Sequence, residues 1–203
     1  MSTEVDIANL ALARVGSEDI MSLTDTDDEN ARVVNRFYEP TVRECLRSHQ
    51  WSCATKRATL AQLADAPAFG YDHQYQVPTD FLRAILLNDV NVWDPIDCWA
   101  LEGDRILTNE DTVNLVYVYY DEDATTYDDL LVNAIVVNLT SKIVGTLTGE
   151  PSQAQRFLQE YERALSAAKT VDAQETKSNE NHPMQGILDR SPLSRRRRFS
   201  PLG

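Results

Sequence analysis

Apolar residues recur at helical spacing in four stretches of the chain. In residues 3–15, Val5, Ala8, Ala11, Leu12 and Val15 share one face, and Gly16 stands where a left-handed cap is wanted. After the polar loop SEDIMSLTD, Thr26-Asp27-Asp28-Glu29 has the capping-box pattern, which predicts a helix start with acids in its first turn. That second helix continues through Val34, Phe37, Tyr38, Thr41, Val42, Cys45 and Leu46, with Pro40 expected to bend it without ending it. Residues 128–147 form a third helix that is apolar nearly all round, with Leu130, Leu131, Ala134, Ile135, Val136, Val137, Leu139, Ile143 and Val144. Such a segment belongs at the buried centre of a bundle. Gly149-Glu150-Pro151 turns the chain. Ser152 is then expected to cap a fourth helix striped by Phe157, Leu158, Tyr161, Ala164, Leu165 and Ala168.

Between the second and third helices the period changes from helical to alternating. Trp51 marks an aromatic corner, and residues 53–63 read as extended. Residues 73–77 and 81–87 read as strands separated by Pro78-Thr79-Asp80. Residues 99–101 and 105–108 flank the turn Glu102-Gly103-Asp104, and VNLVYVYY at 113–120 is the clearest strand. The expected fold is therefore α+β: a four-helix bundle with an inserted small antiparallel β-sheet and an extended C-terminal arm. Residues 1–52 and 122–174 are assigned to the helical bundle, 53–121 to the β-rich insert and 175–203 to the arm. The arm is polar and basic, and alone in water it could not bury enough surface to offset its ordering entropy.

Composition sharpens this picture in two places. With 203 residues, 42% of them hydrophobic, the chain can bury a substantial core. Its three cysteines, Cys45, Cys53 and Cys98, are too few for a disulfide framework and fit assembly in a reducing cytosol. No uninterrupted apolar run of membrane-spanning length is present, and MSTEVDIANL lacks the basic and apolar regions of a signal peptide, so neither a membrane span nor a leader is expected. The formal net charge is −13. Residues 190–203 carry five arginines and no acid, which leaves 14 basic against 32 acidic groups elsewhere, a net of −18. A body this acidic cannot wrap DNA from outside, because phosphate contacts need Lys and Arg. It can line a passage through which DNA slides without sticking, or serve simply as a solvated surface kept soluble by repulsion.

Candidate chemistry is sparse. Cys45, His49 and Cys53 fall four residues apart and would share a face of one continuous helix, where zinc could use them with Cys98 as a fourth ligand. The helix is expected to end near His49, and small buried thiols are common in cores. Asp25, Asp27, Asp28 and Glu29 lack the glycine and terminal glutamate of a calcium loop, and helix capping accounts for them. No nucleophile elbow and no glycine-rich phosphate loop is present. No catalytic, cofactor-binding or metal-binding residue is assigned.

Several ordered segments carry a resemblance: LALARVGSEDIMSLTD at 10–25, ENARVVNRFYEPTVRECLRSHQWSCATKRATLA at 29–61, YQVPTDFLRAI at 75–85, EGDRILTN at 102–109 and ERALSAAKTVDAQE at 162–175. Together they resemble the head-to-tail adaptor family of short-tailed bacteriophages, the tail tubular protein A-like proteins, over roughly the first 175 residues. The resemblance implies a structural virion protein of the neck, assembled in the host cytoplasm and not an enzyme. Such proteins form a homo-oligomeric ring of about twelve copies below the portal. The ring extends the DNA channel, passes the genome without specific binding, and receives the tail nozzle or tube on the side of the β-rich insert. On this basis Arg195, Arg196, Arg197, Arg198 and Phe199 are expected to dock on the portal protein, and Arg43, Lys56 and Arg57 to contact neighbouring subunits. Two alternatives remain: a tail-associated peptidoglycan-degrading enzyme, and a nucleic-acid-binding module acting through the arginine run.

Overall fold

The structure, a computed structural model, describes residues 2–92 and 99–180. It is α+β, with four helices and two small antiparallel sheets. Helix α1 (Glu4–Val15) begins at a complete capping box: Asp6 N donates to Thr3 Oγ1 at 3.2 Å, and Thr3 N returns a bond to the Asp6 carboxylate at 2.8 Å. It ends at Gly16, whose φ of 73° is the left-handed cap conformation. Helix α2 (Glu29–Arg47) continues through Pro40. Its cap is Asp28 and not Thr26, with Asp28 Oδ1 accepting from Asn30 N and Ala31 N. A carboxylate at this end also meets the positive pole of the helix dipole, which the Thr26 hydroxyl would not.

Helix α3 (Asp129–Thr148) packs against α1, α2 and α4 (Ser152–Glu180). By length and mean hydropathy of 1.6 it is apolar enough to cross a membrane. Its apolarity is used here inside the protein, where Leu131, Ala134, Ile135, Val137, Leu139, Ile143 and Val144 are sealed from solvent. Ser152 is the first helical residue of α4 and not its cap; Gln153 N and Ala154 N are taken by the carbonyls of Glu150 and Pro151. The helix runs beyond the apolar stripe that ends at Ala168, to Glu180, so residues 175–180, expected in the extended arm, are helical, and 181–203 of that arm lie outside the described residues.

The β-rich region forms two sheets where a single one is expected from the sequence. Strands β1 (Thr55–Leu60), β3 (Phe81–Leu87), β4 (Val90–Asn91) and β7 (Val113–Tyr119) make one, in the order β1-β7-β3-β4. Strands β2 (His73–Gln76), β5 (Trp99–Glu102) and β6 (Arg105–Thr108) make the other, in the order β2-β6-β5. β4 is added through Asn88-Asp89, whose φ angles of 49° and 66° make the left-handed pair of a tight hairpin. The four-stranded sheet is the middle layer. Val116 and Val118 of β7 join the helical core, while Val113, Leu115 and Tyr117 face Tyr75 and Ile106 of the smaller sheet. β7 is thus covered on both faces.

Trp51 sits where the chain leaves α2 for β1. It is 1% exposed, its indole Nε1 donates to the Cys45 carbonyl at 3.0 Å, and the His49 ring meets it edge-on at 4.9 Å. Replacing it leaves a void, while the Cys45 carbonyl keeps its bonds from Ser48 N and Oγ. Trp51→Ala is expected to lower unfolding stability by about 3–5 kcal/mol, read from urea titration of the full chain.

Candidate functional site

The structure sets Arg43 and Lys56 beside Asp80 at the end of β7, Arg43 over Tyr120 and Lys56 over Tyr119, and turns Arg57 to the other face of β1 from Lys56. Lys56 and Arg57 are neighbours on an edge strand, so their side chains leave opposite faces. Lys56 pairs in register with Tyr117, on the small-sheet side, and Arg57 with Val116, on the helical side. Lys56 Nζ lies 2.9 Å from Asp80 Oδ2 and 3.6 Å from the centre of the Tyr119 ring. Arg43, a helical turn beyond Glu39, pairs with that carboxylate at 3.1 Å and stands over the Tyr120 ring at 5.0 Å. Arg57 is exposed and forms no ion pair among the described residues. Arg195, Arg196, Arg197, Arg198 and Phe199 lie outside the described residues.

Asp80 is the hub. Besides Lys56 it accepts the Tyr117 hydroxyl at 3.0 Å, and its carbonyl accepts Tyr120 N at 2.8 Å. Asp121 does the same work one step on, taking the Tyr119 hydroxyl at 2.8 Å, Thr126 Oγ1 and Asp123 N. Burial, then the hydrogen bond to a carboxylate, pushes Tyr117 and Tyr119 each up to about 12. These phenols are fixed donors across the physiological range. Beside them an open polar concavity is lined by Glu4, Glu39, Arg43, Thr79, Asp80, Tyr120 and Glu122. Burial, then the nearby Glu122, raises Glu4 above the usual carboxylate range. The arrangement suits a cationic group arriving from outside, since acids outnumber the one arginine that lines it.

The cysteine and histidine trio is dispersed into other roles. The Cys45 thiol donates to the Tyr161 hydroxyl at 3.6 Å, its sulfur accepts from Asn138 Nδ2 at 3.5 Å, and burial pushes the thiol up. Asn138 is itself 1% exposed, so this contact satisfies a buried amide. His49 turns the other way, with Nε2 3.1 Å from Asp172 Oδ2. Cys53 is half-buried, and Cys98 lies outside the described residues. Among the described residues no three His, Cys, Asp or Glu side chains gather closely enough to hold a metal ion.

Asp80, Tyr117, Tyr119 and Asp121 carry the geometry that sequence reasoning missed. The signal was present in YVYYDED, a strand of alternating aromatics that runs straight into acids. It gives no hint that Asp80, 37 residues away from Tyr117, completes the set.

Two outcomes follow from these contacts. Asp80→Ala is expected to bring the Tyr117 phenol back toward its ordinary value, seen by NMR of ring-labelled tyrosine. It should lower stability by about 1–2 kcal/mol, most of it from the Tyr117 bond, because the half-exposed Lys56 pair is screened. His49 is held below the usual imidazole range by burial, with the charges of Lys169 and Arg83 opposing the pull of Asp172. It is then neutral at pH 7, with Nε2–H donated to Asp172. As pH falls below about 6.5 the unfolded chain takes up this proton first, so His49 makes stability fall with pH. An NMR titration placing His49 above 6.5 would contradict this. The chain matches no protein-family model, and no curated protein matches it.

Proposed function

We propose that the protein is a structural component of a short-tailed phage neck, a head-to-tail adaptor that forms a ring below the portal, extends the DNA channel and receives the tail nozzle. The observation that carries this reading is the ordered series of sequence segments that resembles that family, from LALARVGSEDIMSLTD to ERALSAAKTVDAQE. The placement of two of them supports it. The segment at 29–61 supplies α2, the Trp51 corner and β1, which join the helices to the four-stranded sheet. The segment at 102–109 supplies β6 and the turn before it. The charge balance supports it too, since a strongly acidic body suits a channel wall that repels the genome.

In this reading the four helices form a bundle that packs side by side with its copies around the axis. The β-rich region faces the nozzle, and the chain beyond α4 forms an arm reaching the portal. Arg195, Arg196, Arg197 and Arg198 supply guanidinium forks for carboxylates on the portal, with Phe199 as an apolar anchor. Arg43, Lys56 and Arg57 contact neighbouring subunits. Of these, Arg57 forms no ion pair among the described residues, whereas Arg43 and Lys56 would exchange or share the partners they already hold.

Native mass spectrometry of the purified chain with and without its portal ring tests the proposal. Addition of about a dozen copies per portal is expected, and this should be lost on truncation before Ser191. A full-length chain that leaves the portal's mass unchanged would overturn the adaptor reading. Addition that survives truncation would overturn only the docking role of the arm.

A further inference from the structure

The acidity of the chain makes one cationic cluster stand out, around Arg83 of β3. Arg47 closes α2 and donates Nη1 to the carbonyl of Leu82. The next residue of β3, Arg83, pairs in register with Val118, whose side chain belongs to the helix-facing core, so Arg83 also projects toward the helices. Its Nε is shut off from solvent and has no hydrogen-bond partner among the described residues. No described carboxylate forms an ion pair with it. Lys169 of α4 is near enough to feel the charge of Arg83. One turn further along that helix, Asp172 is engaged by His49 Nε2 at 3.1 Å and Ser52 N at 2.9 Å, which fixes this part of α4 against the α2–β1 junction. Burial and then mutual repulsion hold Arg83 and Lys169 below their ordinary values, Arg83 through Arg47 and Lys169 through Arg83.

A buried guanidinium donor without a described acceptor, next to two more cations, is an unfavourable arrangement of a kind native proteins keep few of. Arg83 and Lys169 are half-buried and Arg47 is exposed, so the cluster is open to solvent on one side. We propose that Arg83, with Arg47 and Lys169, forms a binding site for a single oxyanion, a carboxylate or a phosphate. The chain itself is the richest source of such a group, with 32 acidic against 19 basic side chains. A carboxylate on a neighbouring copy is therefore the occupant the charge balance favours, and inorganic phosphate is its free counterpart. The site stands on these residues alone and does not depend on the adaptor reading.

The test uses the full chain at pH 7.5 in sodium chloride or inorganic phosphate of matched ionic strength. Phosphate should raise the melting temperature saturably and give a binding isotherm by calorimetry. Arg83→Gln should weaken that binding about 10–100-fold, the loss expected for charge-assisted bonds, and Lys169→Gln should weaken it less. In chloride, Arg83→Gln should melt no lower than the native chain, because it removes an unmatched buried charge. This also shows that the variant folds. Sedimentation velocity at low ionic strength separates the sources. Self-association abolished by phosphate and by Arg83→Gln assigns the site to a neighbour's carboxylate, and a monomer that still binds phosphate through Arg83 assigns it to a free oxyanion. A native chain indifferent to phosphate in melting, calorimetry and association overturns the proposal, as does phosphate binding unchanged in both variants.

Discussion

Two segments of this chain, α3 and β7, are apolar on more than one side, and the architecture follows from the need to cover both. A helix buried on most of its faces requires neighbours on several sides, which α1, α2 and α4 supply with the sheet behind them. A strand buried on both faces requires a layer on each side. The helices cover Val116 and Val118, and the three-stranded sheet covers Leu115 and Tyr117. The four-stranded sheet is thereby fixed as a middle layer. Trp51 locks the crossing between layers, because its ring fills the corner and its indole holds the last turn of α2.

Local features were legible in the sequence because they depend on residues a few positions apart. The Thr3–Asp6 capping box, the left-handed Gly16 cap and the turn at Glu102-Gly103-Asp104 each declare themselves within a handful of residues. The start of α2 was misplaced by two residues because Thr26 and Asp28 are both good caps, and only geometry decides which side chain reaches Asn30 N and Ala31 N. The division of the β-rich region into two sheets was not legible. Strand order depends on pairings such as Lys56 with Tyr117, far apart in sequence, and alternation says which residues share a face but not which face meets which layer. β4 escaped because Val90–Asn91 is too short to show a period.

The polar features divide along the same line. Asp80 and Asp121 gather tyrosines and a lysine at one end of β7, beside a concavity in which acids outnumber the one arginine. Arg47 and Lys169 gather around Arg83, with which no described carboxylate forms an ion pair. Neither cluster could be assembled from spacing, since each draws on three or more elements. Arg57, exposed on the edge strand β1, would lie outside both clusters and be free for a neighbour.

The central physical claim is that the helical layer and the four-stranded sheet share one core and therefore open together. Native-state hydrogen exchange across a urea series tests this most directly. The account predicts that the amides of Leu115, Val116, Tyr117 and Val118 exchange with the same free energy and the same urea dependence as those at the centre of α3, in one global opening. Sheet amides that exchange through a separate, lower-energy opening while α3 stays protected would contradict it, and would make the β-rich region a unit that folds apart from the helices.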